Sequence, residues 1–172
     1  MTSPSATASK PRVHSTAWYD SMYNNRALVP EHAAHFAHWR EASQAARAAS
    51  RCFQDVAYGQ GPNESLDIFP AARSAGAKGA PVLVFVHGGS WNSGRPEDYH
   101  FIGRVFARAG YVVVLPGYRL GHEGIYPRML EDGAMAVDWT AKNIARFGGD
   151  PDQVVLVGLT YATLSAGWIT AG

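Results

Sequence analysis

Three uninterrupted runs of apolar residues lie along the chain, at residues 82–86, 111–115 and 154–157. A strand with one face in water alternates apolar and polar side chains, whereas a strand buried on both faces is apolar throughout. The three runs therefore predict buried strands. Two helical segments separate them, residues 99–109 and a segment that begins near Pro127. The second segment places its apolar residues on one helix face: Leu130, Ala134, Val137, Ala141 and Ile144.

The order strand, helix, strand, helix, strand predicts an α/β fold. Its sheet should be mostly parallel, with right-handed crossovers and helices on both faces. Residues 82–86 are expected between the other two apolar strands. Two shorter strand segments, residues 54–58 and 65–69, flank the turn sequence Gly-Gln-Gly-Pro-Asn at residues 59–63. They predict an antiparallel hairpin at the amino-terminal side of the sheet.

The remaining segments define the predicted domain organisation. Residues 17–50 are expected to form a helical arm, with Pro30 in a first turn. The long second helix should end at Gly148 and Gly149, followed by a turn at residues 150–151. The prediction is a disordered tail over residues 1–16, the helical arm over 17–50, sheet and helices over 51–158, and an atypical tail over 159–172.

Composition narrows the possible partners and compartments. The 172 residues carry a net charge of +1 with no basic block, so nucleic acid is not expected as a partner. No stretch approaches the roughly 18 apolar residues of a membrane span. The single cysteine, Cys52, fits a reducing compartment, and the amino terminus lacks the apolar core of a secretory signal. A cytoplasmic location is therefore predicted.

No cofactor or metal is expected. The three histidines at positions 32, 35 and 38 recur every third residue, so they fan out around a helix instead of converging on one ion. A dinucleotide site would need the pattern G-x-G-x-x-G after a strand, and the chain has no such pattern.

The sequence His-Gly-Gly-Ser-Trp at residues 87–91 directly follows the first apolar strand. Glycines there leave backbone N–H groups exposed at the carboxyl end of a strand, where open α/β sheets place their ligands. Lipases and esterases build the oxyanion hole from such a loop. The alternative interpretation is an ordinary glycine turn, with His87 bonded to a neighbouring loop.

The chain resembles the α/β-hydrolase superfamily, and within it the kynurenine formamidase-like and hormone-sensitive-lipase-like esterases. The resemblance rests on residues 23–30 with 62–69, the H-G-G-x-W loop, the Tyr-Arg-Leu segment at 118–120, and residues 143–151, Asn-Ile-Ala-Arg-Phe-Gly-Gly-Asp-Pro. It implies a partial α/β-hydrolase fold and a carboxylic-ester or (aryl)formamide hydrolase that works through a serine acyl-enzyme. The substrate would be a small-molecule ester or amide.

The resemblance also assigns roles to residues. The N–H groups of Gly88, Gly89 and Ser90 would form the oxyanion hole, and His87, Trp91 and Tyr118 would belong to the substrate pocket. A nucleophile elbow, G-x-S-x-G, should follow the last strand. In that register the chain reads Gly-Leu-Thr-Tyr-Ala at residues 158–162, with Thr160 in the nucleophile position, and Ser165 follows in Thr-Leu-Ser-Ala-Gly. Thr160 and Ser165 are both candidate nucleophiles.

The acid and the histidine of a catalytic triad should come after the elbow, yet no Asp, Glu or His follows Asp152. We therefore expect the chain to be truncated after the nucleophile strand, by gene truncation, a frameshift or a partial expression product. We expect it to be inactive as it stands. The alternative is a non-catalytic fragment or pseudo-hydrolase that acts as a binding module. The last strand would then be an uncovered edge, and homodimerisation or self-association through it is predicted.

Overall fold

The computed structural model describes residues 13–72, 79–123 and 126–160. The chain divides into two compact units between Phe36 and Ala37. The first unit contains helices α1 (Thr16–Tyr23) and α2 (Asn25–Leu28), and helix α3 (His32–Ala48) continues into the second. The predicted helical arm is thus three helices. The break after α1 arises because the Asn24 side chain accepts a hydrogen bond from Ala27 N and starts a new helix.

The second unit is built on a five-stranded sheet. Its strands are β1 (Phe53–Ala57), β2 (Ser65–Phe69), β3 (Ala80–Val86), β4 (Val112–Pro116) and β5 (Gly149–Gly158), in the spatial order β1-β2-β4-β3-β5. The pairs β1–β2 and β2–β4 are antiparallel, and β3 is parallel to both β4 and β5. The predicted amino-terminal hairpin and the position of residues 82–86 between the other apolar strands are confirmed.

Helices cover the sheet on both faces. Helix α4 (His100–Arg108), preceded by a 3-10 turn over Pro96–Tyr99, packs Ala107 on one face of the sheet. Helix α5 (Arg128–Asn143), followed by a 3-10 turn over Ile144–Phe147, packs Ala136 on the other face. Successive side chains of β4 point to opposite faces of the sheet, and each face is covered by a helix. Every side chain of the strand is therefore buried, which explains why its sequence is continuously apolar. The fully buried members of β4 are Val112, Val113, Val114 and Leu115.

The start of β5 departs from the prediction. Gly148 has the left-handed φ of 84° expected at a helix end, but residues 150–151 lie in the strand instead of forming a turn. Between the paired positions Ala80↔Gly149 and Val82↔Val154, one residue of β3 faces four of β5. The extra residues are held by the Asp150 carboxylate, which accepts bonds from Asp152 N at 3.0 Å and Gln153 Nε2 at 2.6 Å.

Strand β5 lies at one edge of the sheet. Among the described residues it pairs with β3 alone. Val155 and Val157, two positions apart, point to the same face and are 51% and 38% exposed. Within the described ranges, no group of three His, Cys, Asp or Glu residues could hold a metal ion. None of the described helices is long and apolar enough to cross a membrane.

Candidate active site

The loop after β3, residues 87–94, lies at the carboxyl end of the parallel strands. We call it the oxyanion loop, after the role that the sequence predicts for it. It folds back on itself because Asn92 N and Ser93 N both donate to Gly89 O, at 3.0 and 3.2 Å. Gly89 has a φ of 129°, and a Cβ there would lie 2.0 Å from Ser93 O, so only glycine fits. Within the described part of the chain, none of the hydrogen bonds uses the N–H of Gly88, Gly89 or Ser90 as its donor.

His87 holds this loop in place. Its ring is buried and stacks between Tyr99, at 5.8 Å between centroids, and Tyr118, at 4.4 Å. Nδ1 lies 2.8 Å from Gly88 O and must carry the proton, because a carbonyl oxygen can only accept. Burial lowers the pKa of His87, so the ring is neutral near pH 7. The Tyr118 hydroxyl completes the contact by donating to His87 O at 2.8 Å.

Trp91 and Tyr118, both predicted to line a pocket, lie on the walls of the same small cavity. This cavity sits between the oxyanion loop, the end of β4 and the first turn of α5, and its lining is mainly apolar. The segment after β4 is tied to the loop by Gly121 N, which donates to Trp91 O at 2.7 Å. The Tyr-Arg-Leu segment therefore shapes the same site as the glycines.

Thr160 lies directly beside the oxyanion loop. The pairing of β5 with β3 continues one step past the strands, through Leu159 N donating to Val86 O at 3.1 Å. The next residue, Thr160, has a φ of 57°, which is a rare conformation for a β-branched residue. A Cβ built on Gly88 would lie 2.8 Å from Thr160 Oγ1, so the exposed hydroxyl packs on the bare Gly88 backbone. Ser165, the other candidate nucleophile, lies outside the described residues.

Sequence reasoning missed an ionic cluster behind the site. The Arg119 guanidinium binds the fully buried Asp132 carboxylate on α5 and lies 3.5 Å from Glu64. The bond to Asp132 raises the pKa of Arg119 further. Tyr58 from the hairpin donates to Gly117 O at 2.7 Å. These contacts fix the hairpin and the segment after β4 to α5. The detectable signal was Asp132, an acidic residue among the apolar positions of a predicted helix.

A second buried pair, Asp67 and His100, was also missed. His100 Nε2 lies 2.6 Å from Asp67 Oδ2, both side chains are buried, and the His100 ring meets Phe69 edge-on at 5.2 Å. Asp67 Oδ1 accepts from Asp55 N at 3.0 Å. This aspartate–histidine pair joins the middle of β2 to the start of α4, the helix that packs on one face of the sheet.

The mixed sheet, the glycine loop at its carboxyl end and the strained residue after β5 together define an α/β-hydrolase fold. The family model for the carboxylesterase family matches residues 29–162. The chain belongs to the carboxylesterase family.

The chain is also similar to individual proteins that are named as esterases. The chain is 34% identical over 110 residues to a probable isoprenylcysteine alpha-carbonyl methylesterase of Oryza sativa subsp. japonica, covering 64% of this chain and 25% of the relative. It is 36% identical over 107 residues to Esterase LipQ of Mycobacterium tuberculosis, covering 60% and 25%. The chain thus spans about a quarter of the length of these two relatives. The crystal structure of Esterase B from Lactobacillus rhamnosis shares the fold, with a TM-score of 0.64 and 23% identity, covering 85% of this chain and 49% of that one.

Proposed function

We propose that this chain carries the carbonyl-binding and attacking part of a carboxylic-ester hydrolase that works through an acyl-enzyme. The observation that carries the proposal is the contact between the Thr160 hydroxyl and Gly88. The contact places a hydroxyl that could attack beside a loop whose backbone N–H groups make no hydrogen bond within the described residues. Acyl transfer requires both an attacking group and N–H donors for the developing oxyanion. Ser165 remains the second candidate for the attacking group.

In the proposed reaction, Thr160 Oγ1 bonds to the ester carbonyl carbon and its proton passes to a base. The carbonyl oxygen becomes an oxyanion, and the N–H groups of Gly88, Gly89 and Ser90 stabilise it. When this intermediate collapses, the bond from carbon to the alcohol oxygen breaks, and the alcohol leaves with a proton. Water then releases the acid from the acyl-enzyme by the same steps.

Among the described residues, none of the hydrogen bonds joins Thr160 Oγ1 to a histidine or a carboxylate, so the base is the missing group. Within the described residues, the histidine nearest in sequence to the glycines, His87, is neutral and directs its Nδ1 proton at Gly88 O. We propose that residues 1–172 by themselves bind ester-derived ligands without turning them over. In that form the chain acts as a binding module.

N-formyl aromatic amines are the second proposed substrate class, supported by the resemblance of residues 23–30 and 62–69 to formamidase-like enzymes. A cytoplasmic location is also proposed. Its support is that Cys52 is the single cysteine of these residues, so they form no disulfide among themselves, which fits a reducing compartment.

The proposal can be tested with butylboronic acid, which needs no protein base. If Thr160 Oγ1 is positioned to attack, it bonds to boron, its proton goes to solvent, and boron becomes a tetrahedral anion against the oxyanion loop. Boron-11 NMR should show the tetrahedral signal with the wild-type chain. The signal should be lost in Thr160→Val, which keeps the β-branched shape but has no hydroxyl.

Two glycine variants serve as a matched pair in this experiment. Gly88→Ala places a Cβ 2.8 Å from Thr160 Oγ1 and should weaken the adduct at least tenfold. Gly121→Asn is the control, because Gly121 has a φ of 61°, which asparagine tolerates, and a Cβ there meets nothing within 4 Å. An equally strong tetrahedral signal in Thr160→Val, or no signal in the wild-type chain, would contradict the proposed role of Thr160.

A further inference from the structure

The segment after β4 is held on both sides of Tyr118. On the first side, Tyr58 Oη donates to Gly117 O at 2.7 Å, and Gly117 N donates to Ser65 O at 2.9 Å. Burial raises the pKa of Tyr58, so its hydroxyl stays protonated and remains a donor. A Cβ on Gly117 would lie 2.6 Å from Asn63 O, so the segment lies directly against the hairpin. The hairpin therefore fixes Gly117.

On the other side of Tyr118, the buried Asp132 carboxylate of α5 holds Arg119 by its main chain as well as by its side chain. Asp132 Oδ2 accepts from the Arg119 backbone N at 2.8 Å, and Arg119 Nε lies 3.0 Å from Oδ1 and 2.9 Å from Oδ2. An ion pair alone would leave the backbone free to shift, because several rotatable bonds separate a guanidinium from its Cα. The bond to the main chain removes that freedom.

Tyr118 lies between these two fixed residues and contacts the oxyanion loop. Its hydroxyl donates to His87 O at 2.8 Å, and its ring stacks on the His87 ring at 4.4 Å between centroids. His87 Nδ1 in turn donates to Gly88 O at 2.8 Å. An unbroken series of contacts therefore runs from the Asp132 carboxylate to Gly88.

We propose that Asp132 is a positioning residue of the oxyanion loop. It fixes Tyr118 through the backbone N–H of Arg119, and Tyr118 fixes the N–H groups of residues 88–90. Tyr58 has the same role on the other side of Tyr118. The inference rests on the proposed function, since these N–H groups have to be placed for the carbonyl oxygen of an ester. It gives a part in that reaction to two side chains that touch no reacting atom.

The test compares the same substitution at two aspartates of α5. Asp132→Leu keeps the branched shape of the side chain but offers no acceptor to the Arg119 N–H. The guanidinium still has Glu64 at 3.5 Å and Glu131 at 3.8 Å, so its charge stays paired. Asp138→Leu is the matched control, because Asp138 is exposed on the surface of the same helix.

Two measurements report on the loop in these variants. In proton–nitrogen-15 correlation spectra of the labelled 172-residue chain, the amide signals of residues 88–90 should shift in Asp132→Leu and stay in place in Asp138→Leu. The affinity for butylboronic acid, followed by the tetrahedral boron-11 signal, should fall about tenfold in Asp132→Leu, because a small misplacement of groups at a reacting centre is costly. Asp138→Leu should bind it as wild type does.

A substitution that weakens the ion pair alone should not move the loop. Arg119→Lys replaces the guanidinium fork by a single ammonium group and should lower the stability in urea, but it keeps the N–H that bonds to Asp132. The amide signals of residues 88–90 should therefore stay near their wild-type positions. Tyr58→Phe removes the donor to Gly117 O, leaves every charge in place, and should move the same signals.

The outcomes separate this inference from the proposed function. Amide signals that move in Asp132→Leu and Tyr58→Phe, but not in Asp138→Leu or Arg119→Lys, support the inference. Signals that move while boronic acid affinity is unchanged, or a wild-type chain that forms no adduct, would contradict the proposed function alone.

Unmoved signals in folded Asp132→Leu, or an equal movement in Arg119→Lys, would overturn the inference. Should Asp132→Leu not fold, Asp132→Asn takes its place with the same expected shift, because either orientation of the amide turns an N–H2 group toward a donor of Arg119.

Discussion

At the scale of single residues, the oxyanion loop depends on a neutral histidine held between two tyrosines. Protonation of His87 is unfavourable because its ring is buried and stacked on Tyr118. The one ring proton of the neutral form, on Nδ1, is donated to Gly88 O. The Tyr118 hydroxyl holds the adjacent carbonyl of His87. The contacts of His87 and Tyr118 therefore fix the position of Gly88 relative to Thr160. A substitution that removes one of these contacts should shift the loop.

Tyr118→Phe tests this dependence. The variant keeps the ring stacked on His87 but leaves the buried His87 carbonyl without its donor, which should cost about 1–3 kcal/mol of unfolding free energy. Urea denaturation followed by circular dichroism measures the loss. Tyr23→Phe is the matched control because Tyr23 is 75% exposed, and it should be neutral. Equal stability of Tyr118→Phe and wild type would mean that this hydroxyl does not support the loop.

The pH dependence of stability provides a second test. Burial lowers the pKa of His87 below its ordinary 6.5, so in acid the unfolded chain takes up a proton that the folded chain does not. The free energy of unfolding should therefore fall as the pH drops below 6.5, by up to about 1.4 kcal/mol per pH unit from this residue. Well above pH 6.5, His87 contributes no slope.

The variant that isolates His87 is His87→Phe, which keeps an aromatic ring in the stack and cannot titrate. Urea melts at pH 5, 6, 7 and 8 should give a flatter dependence for His87→Phe than for wild type. His35→Gln, at an exposed position, should retain the wild-type slope. Parallel curves for wild type and His87→Phe would show that His87 is protonated to the same degree in both states.

At the scale of elements, the close approach of α4 to the sheet depends on one glycine. A Cβ on Gly103 would lie 2.5 Å from the Phe69 ring, and Phe69 is fully buried on β2. Gly103→Ala should therefore cost about 1–3 kcal/mol by overpacking, despite the better helix propensity of alanine. Thermal or urea unfolding measures it against Val105→Ala, an exposed position on α4 that should change stability by less than about 0.5 kcal/mol. A stabilised Gly103→Ala would show that α4 can move away freely.

The order and type of the strands could be predicted because β3, β4 and the second half of β5 are apolar throughout, a pattern typical of strands inside a parallel sheet. The start of β5 could not, since its first residues pair only through an irregular register that depends on the Asp150 side chain. The position of residues 87–94 as a loop at the carboxyl end of β3 was predictable from its glycines, which end the apolar strand. The Arg119–Asp132 contact was not, because it joins residues from different elements whose proximity only the fold creates.

At the scale of the whole molecule, the exposed side of β5 is a weakly protected surface of the sheet. Within the described residues β5 pairs on one side only, and an unpaired strand edge beside exposed valines favours pairing with another chain. We expect a polypeptide of residues 1–172 to form dimers or larger species, with apparent mass rising with concentration in size-exclusion chromatography with light scattering. Val155→Lys combined with Val157→Lys should shift it toward monomer. Val105→Lys, exposed on α4, should not. A wild-type monomer at all concentrations would contradict this expectation.

The second expectation for the whole 172-residue polypeptide concerns ester hydrolysis. Because no Asp, Glu or His follows Asp152, the 172-residue polypeptide should hydrolyse 4-nitrophenyl butyrate no faster than Thr160→Val or Ser165→Ala. Initial rates at several enzyme concentrations, with each variant prepared in parallel, measure this. Turnover that is lost in one of the two variants would identify that hydroxyl as the nucleophile and show that a base reaches it.

The backbone at Thr160 bears on how this chain could change by mutation. Its φ of 57° is a conformation that a β-branched side chain resists, and serine has the same hydroxyl without the methyl group. Every threonine codon becomes a serine codon by a single base change. In the proposed role of Thr160 as the attacking group, position 160 lies one nucleotide from serine, the residue that esterases use as their nucleophile. A genetic selection for ester hydrolysis that also supplied an acid and a histidine should recover serine at position 160 early.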